Sequence, residues 1–370
     1  MRPLLLVAAL ASLLPTPALA SVLGLAPPPS PIWHPGQELS RDAVFARIDS
    51  LVVRLHEQGR RTDQEALDLA VLNLCTERPE DRLYALDILE DVARRAPDRL
   101  DALLWIVAAH HHARDASSAI GALERARDRF DGQASYHYAL GHAYWFDARR
   151  HLREDATDAA IEEMQRACAL DPTSKIHVAG LAAVCLVADR PEPALPYLPA
   201  IEEGARVSLR TLLTSAGLLS FDEQTQERAE SLFVQALRAM PDALAGPFLD
   251  GGGRLPGVAA GDLEAAVDYW RRHDPDPVRR SNPRRLEFWR RHLQTDILWG
   301  DPETGTPGWE TETGDAWVRW GRPTVLREIT PMITPFVYVD TGREPSTSGG
   351  AGFRGNQRTW VWTWVRGVDA

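Results

Sequence analysis

Three stretches decide how this chain folds: DRLYALDILEDVARRAP at residues 81–97, ATDAAIEEMQRACALDP at 156–172 and TQERAESLFVQALRAMP at 225–241. Aligned on Ala85, Ala160 and Ala229, each carries a large apolar residue four positions on: Leu89, Met164 or Phe233. Three further come Val92, Ala167 and Ala236, and five beyond those Pro97, Pro172 and Pro241. The same spacing without the proline recurs at Ala119, Leu123 and Ala126, and at Ala194, Leu198 and Ile201. The five alanines lie 34, 41, 34 and 35 residues apart. A small residue lets two helices approach, a large one fills the gap a turn later, and proline ends the helix. A mainly α, quasi-one-dimensional helical array is the expected architecture.

The spacing resembles the second helix of the tetratricopeptide repeat (TPR), and five units exceed the roughly three that such an α-solenoid needs. First helices fit less uniformly, although Leu140-Gly141 with Tyr144, and Ala216-Gly217, sit where a close helix contact is wanted. The seven extra residues of the third unit fall near Asp147 to Asp155, where an extended helix pair or a loop is expected. The resemblance implies that first helices line a concave groove. Counting back from the repeat positions puts His111, His112, Tyr138, His142, Trp145, Thr214 and Leu218 on that face. Large rigid side chains there suit a protein or peptide partner, with filling of the interface between units as the other reading.

Upstream, Arg2, the apolar run Leu4 to Leu14 and Ala18-Leu19-Ala20 form a leader at residues 1–20, expected to be cleaved before Ser21. Pro15 and Pro17 interrupt the run before the about 20 apolar residues of a membrane span. The chain is therefore expected to be exported, to the periplasm or the cell surface. Residues 21–39 form a Pro-rich linker, and Ser40 is a plausible N-cap for a helix to about Gln58 that opens a repeat domain at 40–245. No later stretch is long and apolar enough to span a bilayer. A net charge of −11, one unit more negative without Arg2, disfavours nucleic acid as partner. Cys75, Cys168 and Cys185 make an odd count, against a disulfide framework, and read as small buried hydrophobes.

Residues 246–261, GPFLDGGGRLPGVAAG, read as a Gly-rich linker before a C-terminal domain at 262–370. Nine of the twelve tryptophans lie beyond it, which marks a second core. Two helices are expected, one ending in Tyr269 to Pro277 and one over Asn282 to His292. Strands are expected at Ala316–Trp320, Phe336–Val339 and Thr359–Val365. The segment Tyr269 to Pro275, the Arg-rich helix after Asn282, and Gly308-Trp309-Glu310-Thr311-Glu312 resemble the GWxTD domain proteins of bacterial envelopes. Glu312 stands where that motif ends in Asp, Thr313-Gly314 where Arg-Gly is usual, and Gly321 and Pro323 supply its Gly-x-Pro stop. The resemblance implies a small Trp-rich α+β module, a signal peptide and accompanying repeats, with the motif serving a structural role. Trp309 is expected to fold back over a small sheet.

No HExxH, P-loop, GxSxG or CxxC is present, so neither a cofactor nor an enzyme activity is expected. Consecutive His110, His111 and His112 point in three directions on a helix and would need His142 to hold a metal ion, so ordinary helix residues are the better reading. Asp274, Asp276, Asp301 and Glu303 suit turn chemistry better than calcium. Four Arg pairs between Arg271 and Arg291 offer either a peripheral contact to an anionic surface or internal ion pairs. The sequence thus points to a protein–protein interaction scaffold, with a polymer-binding protein using exposed indoles as the alternative.

Overall fold

The protein is described by a computed structural model that covers residues 39–58, 62–76, 78–151, 153–202, 208–301, 304–323, 325–329 and 359–363. The expected leader and most of the Pro-rich linker lie outside these residues. The fold is mainly helical.

Ser40 opens α1 (Arg41–Gln58), its Oγ accepting from the Ala43 amide, and the repeat units follow as helix pairs. These are α2 (Asp63–Leu74) with α3 (Pro79–Arg95), α4 (Leu100–His112) with α5 (Ala116–Glu124) and the short α6 (Arg127–Phe130), and α7 (Ala134–His151) with α8 (Glu154–Leu170). Then come α9 (Lys175–Ala188) with α10 (Leu198–Glu202), and α11 (Leu209–Leu219) with α12 (Gln226–Ala239). Each helix packs on its partner, and α3 meets α4, α5 meets α7, α8 meets α9 and α9 meets α11, an order consistent with an α-solenoid. Helix starts are fixed by side chains that satisfy free amides: Thr62 in a reciprocal capping box with Glu65, then Asp115, Ser174 and Ser208. The extra residues of the third unit lengthen its first helix, α7 having 18 residues against 12 in α2 and 13 in α4, while α8 at 17 equals α3.

Every repeat position is buried. Ala85, Ala119, Ala160, Ala194 and Ala229 have no accessible surface, and the large and small residues that follow them are likewise inside. Gly141 shows why the first helix needs a small residue: a Cβ there would lie 2.7 Å from Met164 Cγ and 3.0 Å from the Ala160 carbonyl.

After α12 come α13 (Asp242–Asp250), α14 (Leu263–Arg272), α15 (Pro283–Trp299) and α16 (Glu312–Trp320). The Gly-rich stretch expected as a linker is anchored at several points. The buried Asp250 carboxylate accepts from the amides of Gly252 and Gly261, both at 2.6 Å, and Leu255 and Val258 are buried. Trp289 of α15 donates from Nε1 to the Phe248 carbonyl at 2.7 Å. The chain through Arg319 accordingly forms one compact unit and Trp320–Ala370 another.

The expected strand at Ala316–Trp320 is instead helix α16. Thr311 caps it, its Oγ1 accepting from the Gly314 amide at 3.0 Å, and the carboxylates Glu312 and Asp315 occupy its electropositive first turn. Gly321, at φ 78°, follows its end. In the second unit β1 (Val325–Ile329) pairs antiparallel with β2 (Thr359–Thr363), in the register Val325 with Thr363 to Ile329 with Thr359. The expected strand at Phe336–Val339 lies outside the described residues.

Candidate interaction face and the Gly308-Trp309 motif

The residues expected to line an open groove are brought together but closed off. His111, Tyr138, His142, Trp145, Thr214 and Leu218 are all buried, and the side chain of His112 lies outside the described set. His111 and His142 rings are 4.9 Å apart, His111 meets Phe146 at 5.1 Å, and Tyr138 meets His177 at 5.2 Å. These rings form a continuous seam between successive first helices α4, α7 and α9. A partner needs accessible surface, so the burial of these six favours the other reading, that they fill the packing between units, with His111, Tyr138 and His142 seen in ring contacts across it. Burial pushes the His177 imidazole below its ordinary range, as expected for a ring that stays neutral inside a core. Among the described residues no cluster of three metal-binding side chains forms.

Further along the array the chain supplies its own occupant. Helix α15 packs on α9, α11 and α12. Leu293 approaches Gly217, where a Cβ would meet Leu293 Cδ1 at 3.2 Å and Leu186 Cδ1 at 2.9 Å. Gln294, buried, donates from Nε2 to the Leu186 carbonyl at 2.8 Å and to Asp189 Oδ1 at 2.7 Å, while its Oε1 accepts from Trp317 Nε1 at 3.0 Å. One amide thereby ties α9, α15 and α16. Trp289 lies beside Phe233 at 5.2 Å, and Arg290 stacks on Phe221 at 3.9 Å while donating to Ser220.

The Gly308-Trp309 motif locks this helix in place. A Cβ on Gly308 would stand 1.9 Å from the Thr295 carbonyl oxygen, so glycine lets the turn lie directly on the α15 backbone. Gly314 is under the same constraint against the Gly308 carbonyl, at 1.9 Å. Trp309 is fully buried and crosses Phe248 edge-on at 5.4 Å and His292 at 5.5 Å. Its partner surface is helical, α13 and α15, rather than the small sheet expected from sequence. Arg254 reaches from the Gly-rich loop to the Trp309 carbonyl at 2.8 Å and to Asp315 at 3.0 Å. Thr311 caps α16, as described above, and Glu312 serves its first turn, so each described motif residue has a conformational task. Pro323 lies just after Gly321, past the end of α16.

His292 sits at the centre of this packing without any accessible surface. Its Nδ1–H donates to the Phe288 carbonyl at 2.9 Å, and Phe288 and Phe248 flank the ring at 4.5 and 4.8 Å. Burial depresses its pKa to about 3, so the ring is neutral in the fold.

A second buried polar group, unforeseen in the sequence, joins the second and third units. His137 Nε2–H donates to the Asp131 carbonyl and Nδ1 contacts Glu163, both at 2.6 Å. Arg127 bridges Glu163 and Glu124 at 3.0 Å each, and Tyr144 donates to Glu124 at 2.6 Å. The Arg127 hydrogen bonds hold the Glu124 carboxyl below its ordinary range. The network joins α5, α6, α7 and α8, but Glu163 and Arg127 are 36 positions apart and no local pattern announces the pairing.

The remaining sequence candidates resolve into ordinary chemistry. Asp274 and Asp276 accept from amides two residues on, and Asp301 bonds to Thr304, as turn residues do. The three cysteines are free thiols, Cys168 and Cys185 buried and Cys75 partly so.

No protein-family model matches the chain, and no curated protein matches it.

Proposed function

We propose that this chain is an exported envelope protein working as a non-catalytic interaction scaffold, built from tetratricopeptide-like helix pairs and closed by a GWxTD-like segment. The observation that carries the reading is the complete burial of all five repeat alanines. An array of that kind is a rigid platform whose outer faces are free for partners. Apolar side chains remain outside, with Leu83 and Tyr84 on α3 and Val52 and Val53 on α1 exposed. The buried state of Trp270, Trp289, Trp309 and Trp317 leaves those indoles no face to offer a polymer, which favours the scaffold over the polymer-binding alternative.

The leader pattern at Arg2 to Ala20 and the motif around Trp309 support the envelope location. The test is affinity capture from native envelopes with the tagged full-length chain, followed by identification of bound proteins and reconstitution with the purified partner. A stoichiometric complex supports the scaffold. A chain that binds no purified candidate but retains isolated cell-wall glycan overturns it in favour of polymer binding.

A further inference from the structure

The arginines from Arg271 to Arg291 divide into two sets. Arg271 pairs with Asp268, Arg279 with Glu223 and Asp276, Arg285 with Glu230 and Arg291 with Glu287. Arg290 is taken up by Phe221 and Ser220. Among the described residues Arg272, Arg280 and Arg284 are exposed and have no carboxylate partner, and Arg238 in the last turn of α12 shares that condition.

Arg238 and Arg280 line one cavity of about 490 Å³, together with Ser231, Val234, Gln235 and Ser281. Ser281 is buried and, among the described residues, its Oγ has no hydrogen-bond partner. Two positions before Arg280, Val278 is 92% exposed, far more than any other large apolar side chain described. Two carboxylates, Glu227 and Glu230, share the cavity wall, and among the described residues neither forms an ion pair with Arg238 or Arg280. Glu230 is held by Arg285 and by the Asn282 amide, at 3.2 Å. Glu227 stands eleven positions before Arg238 on the same helix, about 16 Å away along its axis.

We propose that the Val278 turn and this cavity dock onto an anionic lipid surface, a headgroup phosphate being taken between Arg238 and Arg280 while Val278 enters the interface beside it. Two guanidinium groups with unused N–H donors suit the oxygens of a phosphate, and hydroxyl and amide donors from Ser231 and Gln235 add neutral partners. An apolar tip next to cations is stabilised at a bilayer interface, where the apolar surface leaves water and the cations meet anionic headgroups. A chain of net charge −11 is repelled as a whole by an anionic surface, so contact requires a local cationic patch of this kind. The inference is independent of the scaffold reading, because a surface contact at α12 and the α14–α15 turn leaves the rest of the array uncovered.

Co-sedimentation of the full chain with vesicles tests it, comparing phosphatidylcholine alone with phosphatidylcholine containing about one-third phosphatidylglycerol. Wild type is retained on the anionic vesicles and not on the zwitterionic ones. Each arginine at an anionic surface contributes about five-fold in partitioning, so Arg238→Gln with Arg280→Gln lowers retention about 25-fold. Arg41→Gln with Arg47→Gln, which removes the same charge from exposed positions on α1, lowers it far less. Val278→Asp weakens retention with the circular dichroism spectrum unchanged. Equal retention on both vesicle types, retention unaffected by the double variant, or no retention at all overturns the proposal. Thermal stabilisation by inorganic phosphate without vesicle retention assigns the cavity to a soluble phosphate and also overturns the lipid reading.

Discussion

Single residues carry the sharpest consequences at the contact between α15 and the Gly308-Trp309 turn. Truncating a fully buried Trp typically costs about 3 to 5 kcal/mol, so Trp309→Ala lowers the unfolding free energy of the full chain by that amount. The Trp309 indole N–H finds no acceptor among the described residues, so Trp309→Phe removes volume but no hydrogen bond and costs less. Urea titration of both variants checks the order, and an Ala variant as stable as the Phe variant contradicts it. Gly308→Ala forces a backbone shift because its Cβ would run into the Thr295 carbonyl, and it destabilises despite adding one carbon. For His292 the sign follows from its depressed pKa. The imidazole stays neutral in the fold down to pH about 3, whereas in the unfolded chain it takes a proton near pH about 6.5. The unfolded state therefore gains charge first as pH falls through that window, and stability drops by about 1.4 kcal/mol per pH unit. His292→Phe removes this loss. Urea titrations at pH about 7 and about 4.5 should show a smaller difference for the variant than for wild type, and an equal difference contradicts the assignment.

At the scale of elements, the second helices were legible because their burial pattern is local: alanine, large residue and small residue at fixed spacing all face one neighbour. The third unit's extra residues were placed by the spacing but left open between a longer helix pair and a loop, and they extend the first helix α7. Helix α16 was misread since five residues from Ala316 to Trp320 alternate as a strand would. The better signal stood just before them, a Thr311 cap followed by Glu312 and Asp315 in the first turn. The open groove was misread for a different reason. Whether a helix face is open depends on what covers it: on α4 and α7 the rings of His111, Tyr138 and His142 pack with those of Phe146 and His177, and α11 is covered by α15, which also carries contacts such as Gln294 to Leu186 across 108 positions. Two outcomes follow for these elements. Tyr138→Ala combined with Trp145→Ala lowers the melting temperature strongly, since both side chains are buried; a folded variant with an unchanged melt contradicts this. A chain ending at residue 261, without α14 to α16, exposes the α9 and α11 surface and binds a hydrophobic dye. Dye binding no greater than that of the full chain contradicts the covering role of α15.

For the whole molecule, part of the local arginine excess around α15 is taken up by carboxylates, Arg279 by Glu223, Arg285 by Glu230 and Arg291 by Glu287. The leader reading predicts that envelope-derived protein begins at Ser21, and N-terminal sequencing that still finds Met1 contradicts it. The boundary expected at the Gly-rich stretch was legible as a change in composition, yet composition carries no information on Asp250 gathering that loop or on Trp289 bonding to Phe248. The same side chains that made 262–319 look like a separate Trp-rich core instead complete the core of the helical array. The most direct test of this joint core is native-state hydrogen exchange on the full chain, wild type against Trp309→Ala. If the Gly308-Trp309 turn seals α15 onto the array, amides of α9, α11 and α15 lose protection together in the variant. Loss confined to residues 304–319, with α9 and α11 as protected as in wild type, would contradict it.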